Sequence, residues 1–262
     1  MMERSSKFRI ATYNIHKCRG FDQRISPARI ISVIRELDAD ILCLQEVVNA
    51  TDAPNLPSDA SIPEDLRIFD QAGEIARALP EYVWAFGANR PLHGGTYGNM
   101  TLARLPLRGW RNHDVSRRRR ERRGVLETEI EVGNGFTLHV FNVHLGTGHM
   151  ERRFQARKLV GPQILMQPEF KGPRLAIGDF NEWTRGLTTK LLRGSFNSFR
   201  PRHVGRFPRT YPGILPLLTL DHCYYEPPLV LEETRLWRTR TALIASDHLP
   251  LVADFRLKDP AA

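Results

Sequence analysis

Cysteine is scarce, with three residues (Cys18, Cys43 and Cys223) in 262. So few, and an odd number, exclude a disulfide scaffold. They have no Cys-x₂-Cys partner, and no histidine-rich spacing joins them into a zinc site. Two lie in strand-like apolar runs, where a thiol serves as a small buried hydrophobe, so a reducing compartment is expected. No apolar run approaches the ~18–20 residues that span a bilayer. The opening MMERSSKFRIATYN lacks the charged head, the apolar stretch of roughly 7–15 residues and the small-residue cleavage site of a signal peptide. These absences predict a soluble, cytoplasmic protein, unless a surface patch brings it to a membrane. There is also no internal repeat, low-complexity tract or linker. Length alone would allow two domains, but residues 1–262 read as one.

Acidic residues are outnumbered: 29 Asp and Glu face 38 Lys and Arg, a formal charge of +9. The surplus implies acidic partners, namely nucleic acid, anionic lipid headgroups or a phosphorylated small molecule. Much of it stands in SRRRRERRG (116–124), with arginines at 117–120, 122 and 123. Like charges so close repel one another. The run is either a solvated loop or an electrostatic track with Arg123 at its inner end. Arg152, Arg153, Arg157, Lys158, Arg200, Arg202, Arg206 and Arg209 would widen it, and Phe199, Phe207 and Tyr211 lie among the last of these, which permits base stacking. Hydrophobic residues at 41%, with 19 glycines, match an ordinary globular core and exclude wholesale disorder.

Short strands dominate the periodicity. Residues 8–14 alternate Phe8, Ile10 and Thr12 with Arg9, Ala11 and Tyr13, which predicts a strand. Ser26-Pro27 reads as an N-cap and first helical residue, and Ile30, Ile31, Ile34 and Leu37 follow at helical spacing over 27–37. The apolar run 39–47 predicts a strand buried on both faces. Residues 49–68 read as a surface loop and 70–79 as a helix. Further strands are predicted at 82–87, 98–104, 125–132, 136–143, 173–178, 219–225, 229–237 and 249–257. In 125–132, Leu126, Ile130 and Val132 alternate with Glu127, Glu129 and Glu131, predicting one buried face and one wet face. A helix from about 149 should end at Gly161-Pro162.

Polar residues recur at the downstream ends of these strands, where loops can gather them. They are Asn14 and His16 in TYNIH, Glu46 in LQEV, His144 in FNVHLG, and Asp179 and Asn181 in GDFN. Asp221 in LDHCY and Asp247-His248 in SDHLPL complete the set. Each alone reads as a turn or packing residue. Together they form an oxygen-rich inventory suited to a hard divalent cation such as Mg²⁺, which prefers oxygen ligands and keeps several waters.

TYNIH, LQEV, YGNMTLARLPL, RGVLE, NVHL, GDFN, RTYP with PLLTLDH, and SDHLPL stand in the order used by the endonuclease/exonuclease/phosphatase superfamily. From about residue 8 to 256 the chain resembles this group, which includes DNase I, exonuclease III-type AP endonucleases, neutral sphingomyelinases and inositol polyphosphate 5-phosphatases. The resemblance implies an α/β (α+β) DNase I-like fold, a four-layer αββα sandwich of two mostly antiparallel sheets. It also implies a metal-dependent hydrolase of phosphate esters using Mg²⁺, with Mn²⁺ as a substitute. Glu46 resembles the main metal-binding carboxylate, helped by Asn14 and Asp247. Asp179 resembles the residue that aligns and deprotonates water, and Asn181 the one that orients that water or the phosphate. His248 held by Asp221 resembles the His-Asp pair, and His144 the donor to phosphoryl oxygens or the leaving group.

Departures from the superfamily narrow the substrate. AP endonucleases carry tyrosine where His144 stands, and an aspartate where His16 stands, which disfavours repair chemistry and leaves His16 as a substrate or outer contact. LDHCYY lacks the arginine of the inositol phosphatases. Arg123 suits bidentate phosphate binding; Asn99 is either a phosphate-side contact or a turn residue. A nuclease-like phosphodiesterase on nucleic acid is the first expectation, from the clustered arginines. A sphingomyelinase-like phosphodiesterase on phospholipid headgroups at an anionic membrane surface is the second. No apolar insertion loop is evident, and ILPLL (214–218) reads as packing beneath Asp221. A non-catalytic nucleic-acid- or lipid-binding relative is the remaining alternative, opposed by the competent residue at every principal position.

Overall fold

The structure is a computed structural model and describes residues 7–50, 70–92, 94–133, 135–183, 186–198 and 209–258. The expected loop over most of 49–68 lies outside the described residues, as do Phe199, Arg200, Arg202, Arg206 and Phe207. In chain order the elements are β1 (Lys7–Asn14), α1 (Pro27–Leu37), β2 (Ile41–Asn49), α2 (Gln71–Ala78), β3 (Val83–Leu92), β4 (Gly95–Ala103), β5 (Leu107–Asp114), β6 (Gly124–Val132) and β7 (Phe136–His144). Then follow α3 (His149–Leu159), β8 (Arg174–Asp179), α4 (Leu187–Leu192), β9 (Asn197–Ser198), β10 (Asp221–Tyr225), β11 (Leu229–Leu236), α5 (Arg240–Ala245) and β12 (Leu251–Leu257).

Two six-stranded sheets form, in the orders β11-β12-β1-β2-β4-β3 and β5-β6-β7-β8-β10-β9. Each is antiparallel except for one parallel pair, β1 with β2 and β7 with β8. A parallel pair needs a crossover. Helices α1 and α3 supply the two crossovers, so each sheet contains one βαβ unit.

Alternation along the strands builds the layers. Phe8, Ile10, Ile41 and Phe255 of the first sheet meet Ile130, Leu138, Ile177 and Cys223 of the second in a shared apolar layer. The opposite faces of the same strands, through Ala11, Tyr13, Leu42 and Leu44, carry the apolar stripes of α1, α2 and α5. On the second sheet Val125, Phe141, Val143 and Ala176 carry Leu159 of α3 and Leu192 of α4. The result is the four-layer αββα sandwich. A buried polar tie crosses between the sheets: Gln45 Nε2 donates to Asn142 Oδ1 at 2.8 Å, and Asn142 Nδ2 donates to the carbonyls of Leu44 and Met100.

Three sequence readings need correction. The face of β6 predicted to be wet holds a buried Glu127. Imidazoles of the neighbouring strands enclose it, with His113 Nε2 at 2.6 Å and His139 Nδ1 at 3.4 Å, and Phe170 lies against the His139 ring. Strand β5 had no apolar alternation to betray it, because it is an edge strand whose side chains are mostly exposed or half-exposed. ILPLL does not pack beneath Asp221. Ile214, Leu215 and Leu217 are exposed, because backbone bonds from Gly213 N to Asp247 O and between Tyr211 and Leu218 close the loop beneath them and turn the side chains outward.

Candidate active site

Strand direction gathers the polar residues at one end of the sandwich. Asn14, His144 and Asp179 are the last residues of β1, β7 and β8, Glu46 lies near the end of β2, and Asp221 opens the antiparallel β10. Asp247 and His248 precede β12, which runs antiparallel to β1. Register sets three of them side by side, since Asp179 pairs with His144 on one flank and with Asp221 on the other.

Asp179 is the hub, buried to 1% exposure. Its Oδ1 accepts the Asn181 backbone N–H at 2.8 Å. Its Oδ2 accepts Asn14 Nδ2 at 3.0 Å, from the other sheet, and Asn181 Nδ2 at 3.4 Å. His144 Nε2 and His248 Nε2 each stand 3.8 Å from the same Oδ2. The far nitrogen of His248, Nδ1, is 3.1 Å from Asp221 Oδ2, and the Tyr211 ring lies against the imidazole.

Electrostatics divide these groups. Burial pushes the Asp179 carboxyl up to about 7, although His248 opposes the shift. Burial also works against charge on His248, but the Asp221 carboxylate, with its hydrogen bond, and Asp179 outweigh it and raise the imidazole to about 10. His144 goes the other way: burial and the Arg123 guanidinium drive it well below the ordinary imidazole range. One cationic and one neutral imidazole therefore flank one carboxyl poised near neutrality.

Glu46 owes its position to a β-bulge. Leu44 pairs with Met100 and Val47 with Gly98, so Gln45 and Glu46 oppose the single Asn99. The extra residue bends the strand and leaves Glu46 at φ 62°, a conformation that non-glycine residues reserve for sites held by their surroundings. Its Oε1 is 3.9 Å from His144 Nε2, and its Oε2 accepts Lys17 Nζ at 2.5 Å. Burial disfavours the charged carboxylate, yet the Lys17 ammonium, through its charge and its hydrogen bond, holds it well below the usual range.

The turn after β1 is also left-handed at His16, Lys17 and Cys18. Asn14 Oδ1 accepts the His16 N–H at 3.0 Å, and His16 Nδ1 stands 3.5 Å from Asp247 Oδ1 without a hydrogen bond. Asn14, Glu46 and Asp247 thus present oxygens around this turn. An all-oxygen donor set with a carboxylate kept ionised fits a hard divalent cation. A second His/carboxylate group, Glu127, Glu129 and His139 with donor atoms within 4.8 Å of one another, stands on the middle of β6 and β7.

The two substrate-side candidates differ. Arg123 is buried at the inner end of the arginine loop, where both terminal nitrogens bond Glu121 and its Nε has no partner. Asn99 is not in a turn: it is fully enclosed within β4, where its Nδ2 donates to the carbonyls of Gly124 and Asn142 in the other sheet. From there it steadies the strand that follows Arg123. Sequence reasoning passed over Lys17 and Ser246, whose Oγ donates to Asn14 O at 2.8 Å, and considered Tyr211 only as a stacking ring. Lys17 sits in none of the quoted motifs, while Tyr211 and Ser246 lie within RTYP and SDHLPL without being singled out there; each acquires a role only through the neighbours the fold brings.

Residues 11–248 match the sequence pattern of the Endonuclease/Exonuclease/phosphatase family. The Escherichia coli (strain K12) protein YbhP is 32% identical over 256 residues, covering 95% of this chain and 96% of its own. Among solved structures, an endonuclease/exonuclease/phosphatase from Beutenbergia cavernae superposes with TM-score 0.73 at 22% identity, over 97% of this chain and 72% of the other. The mannosyl-6-phosphatase Bt3783 of Bacteroides thetaiotaomicron does so with TM-score 0.71 at 16% identity, over 95% and 99%. With its pattern covering nearly the whole chain and a relative 32% identical over almost its full length, the chain belongs to the Endonuclease/Exonuclease/phosphatase family.

Proposed function

We propose that this protein hydrolyses phosphodiesters by in-line attack of water, with a divalent metal, Mg²⁺ or its substitute Mn²⁺, held by Glu46, Asn14 and Asp247. The observation that carries the reading is the placement of Asp179, a buried carboxyl with His144 Nε2 and His248 Nε2 each 3.8 Å from its Oδ2 and its pKa raised by burial. A general base works best when its pKa lies near the operating pH. Asp179 takes the proton of the attacking water, which Asn181 helps to orient. The His248 imidazolium, fixed by Asp221, donates to a phosphoryl oxygen as negative charge builds there. Neutral His144 donates a further hydrogen bond through Nε2, and Arg123 contributes positive charge behind it. A metal bound at Glu46 supplies Lewis-acid stabilisation of the charge on the phosphate.

The test is hydrolysis of bis-p-nitrophenyl phosphate and p-nitrophenyl phosphate with Mg²⁺, Mn²⁺ or EDTA. Cleavage of the diester that EDTA abolishes, and that falls at least ~100-fold in Asp179→Asn and His248→Ala, supports the reading. A metal-independent rate, or a rate unchanged in both variants, refutes it.

A further inference from the structure

The exposed apolar side chains of this molecule are not scattered. Among the described residues eleven large hydrophobic side chains are exposed, and eight of them lie on segments that border the catalytic end. Val83, Trp84 and Trp110, the other three, sit on the edge strands β3 and β5. Phe21 follows β1, while Ile214, Leu215 and Leu217 precede β10. Ile244 lies in the last turn of α5, three residues before Asp247.

Hydrogen bonds, two between backbones and one from the Arg238 guanidinium, join these segments. Phe21 N donates to Ile244 O at 3.1 Å, Gly213 N to Asp247 O at 2.7 Å, and Arg238 to Ile214 O at 3.4 Å. The apolar rim therefore runs along the Asp247–His248 side of the site. On the second sheet, Trp183 follows β8, and Met150 and Phe154 lie on α3; Trp183 and Met150 are more than half exposed. Cations stand on the same segments: Arg24, Arg209, Arg238 and Arg240 beside the rim, and Arg118–Arg120 with Arg122 on the β5–β6 connection, are all exposed.

We propose that this end of the molecule docks on an anionic lipid bilayer, presenting the site to the phosphodiester of a lipid headgroup. Aliphatic side chains favour hydrocarbon, and the arginines around them attract an anionic surface. Single-stranded nucleic acid is held instead by aromatic platforms in a basic groove, whereas five of these eight side chains, Met150, Ile214, Leu215, Leu217 and Ile244, are aliphatic and offer no ring for a base to stack on. The choice of lipid rests on the phosphodiesterase reading above; the docking itself does not.

The experiment is cosedimentation of the full chain with vesicles of phosphatidylcholine alone or with one third phosphatidylglycerol, beside hydrolysis of bis-p-nitrophenyl phosphate. Binding is measured in Asp179→Asn, so that turnover does not alter the vesicles. Preferential binding to the anionic vesicles is expected, weakened about tenfold or more by Leu215→Glu with Leu217→Glu, and separately by Trp183→Glu. Trp110→Glu, on the β5 edge, leaves it unchanged. The Leu215/Leu217 variant hydrolyses the soluble diester at the wild-type rate, which also shows that it is folded. Absence of vesicle binding, binding indifferent to these substitutions, preference for plasmid DNA or RNA at the same salt, or a dimer that the same substitutions dissolve each overturn the proposal. Vesicle binding without diester hydrolysis overturns the phosphodiesterase reading alone.

Discussion

Single residues here behave according to their neighbours. Glu127 lies on a strand face patterned for solvent, yet it is buried between two imidazoles. Burial disfavours its charge, but hydrogen bonds and attraction from His113 and His139 draw the carboxyl down to about 2. A depressed carboxyl stabilises the fold at pH values above its unfolded pKa, near 4.5, and that contribution disappears as pH falls towards 2. Once solvent screening is allowed for, Glu127→Gln is expected to cost about 1–2 kcal/mol at pH 7. Urea unfolding of both proteins checks this: the difference should shrink as pH falls from 4.5 towards 2. A difference independent of pH would assign the loss to packing.

At the scale of elements, the parallel pair β7–β8 holds the site together. Gly178 has φ +150°, and a Cβ there would lie 2.0 Å from Val143 O on the partner strand. The next register pair is His144 with Asp179, so an added methyl group forces apart the strands that carry them. Gly178→Ala should lose about 1–3 kcal/mol of stability and lower diester hydrolysis roughly tenfold or more. Thermal unfolding and kcat measured on the same preparation check both effects. Wild-type activity in a destabilised variant would show that strand spacing does not set the site geometry. The bulge in β2 acts at the same scale, because it turns Glu46 out of the ladder that β2 and β4 otherwise form.

For the whole molecule, the shared core predicts joint unfolding of the sheets. Cys43 in the first sheet and Cys223 in the second both lie in the layer between them, and Cys18 packs with the residues of α1. Burial raises all three thiols, and a thiol reacts as the thiolate. Ellman's reagent should therefore label none of them in the native protein and all three in urea, with a midpoint matching loss of far-UV circular dichroism. Labelling of one cysteine at lower urea would show that the sheets separate before they unfold.

Much of this protein was legible in its sequence because periodicity is a local property. The alternation in 8–14, the helical spacing in 27–37 and the apolar run before Glu46 predicted β1, α1 and β2, and the ordered motifs pointed to the family and its sandwich. Strand ends also revealed which residues to consider, since a polar residue closing an apolar strand is visible in one dimension. What the chain's order could not display depends on partners far apart along it. Asp179 meets Asn14 across 165 residues and His248 takes its charge from Asp221 across 27. Glu127 becomes buried only because β5 and β7 place histidines on either side of it. The loop at 214–218 reads as core from its composition alone. Whether an apolar segment faces inward or outward is decided by the backbone bonds that anchor its ends, and those exist only in the folded chain.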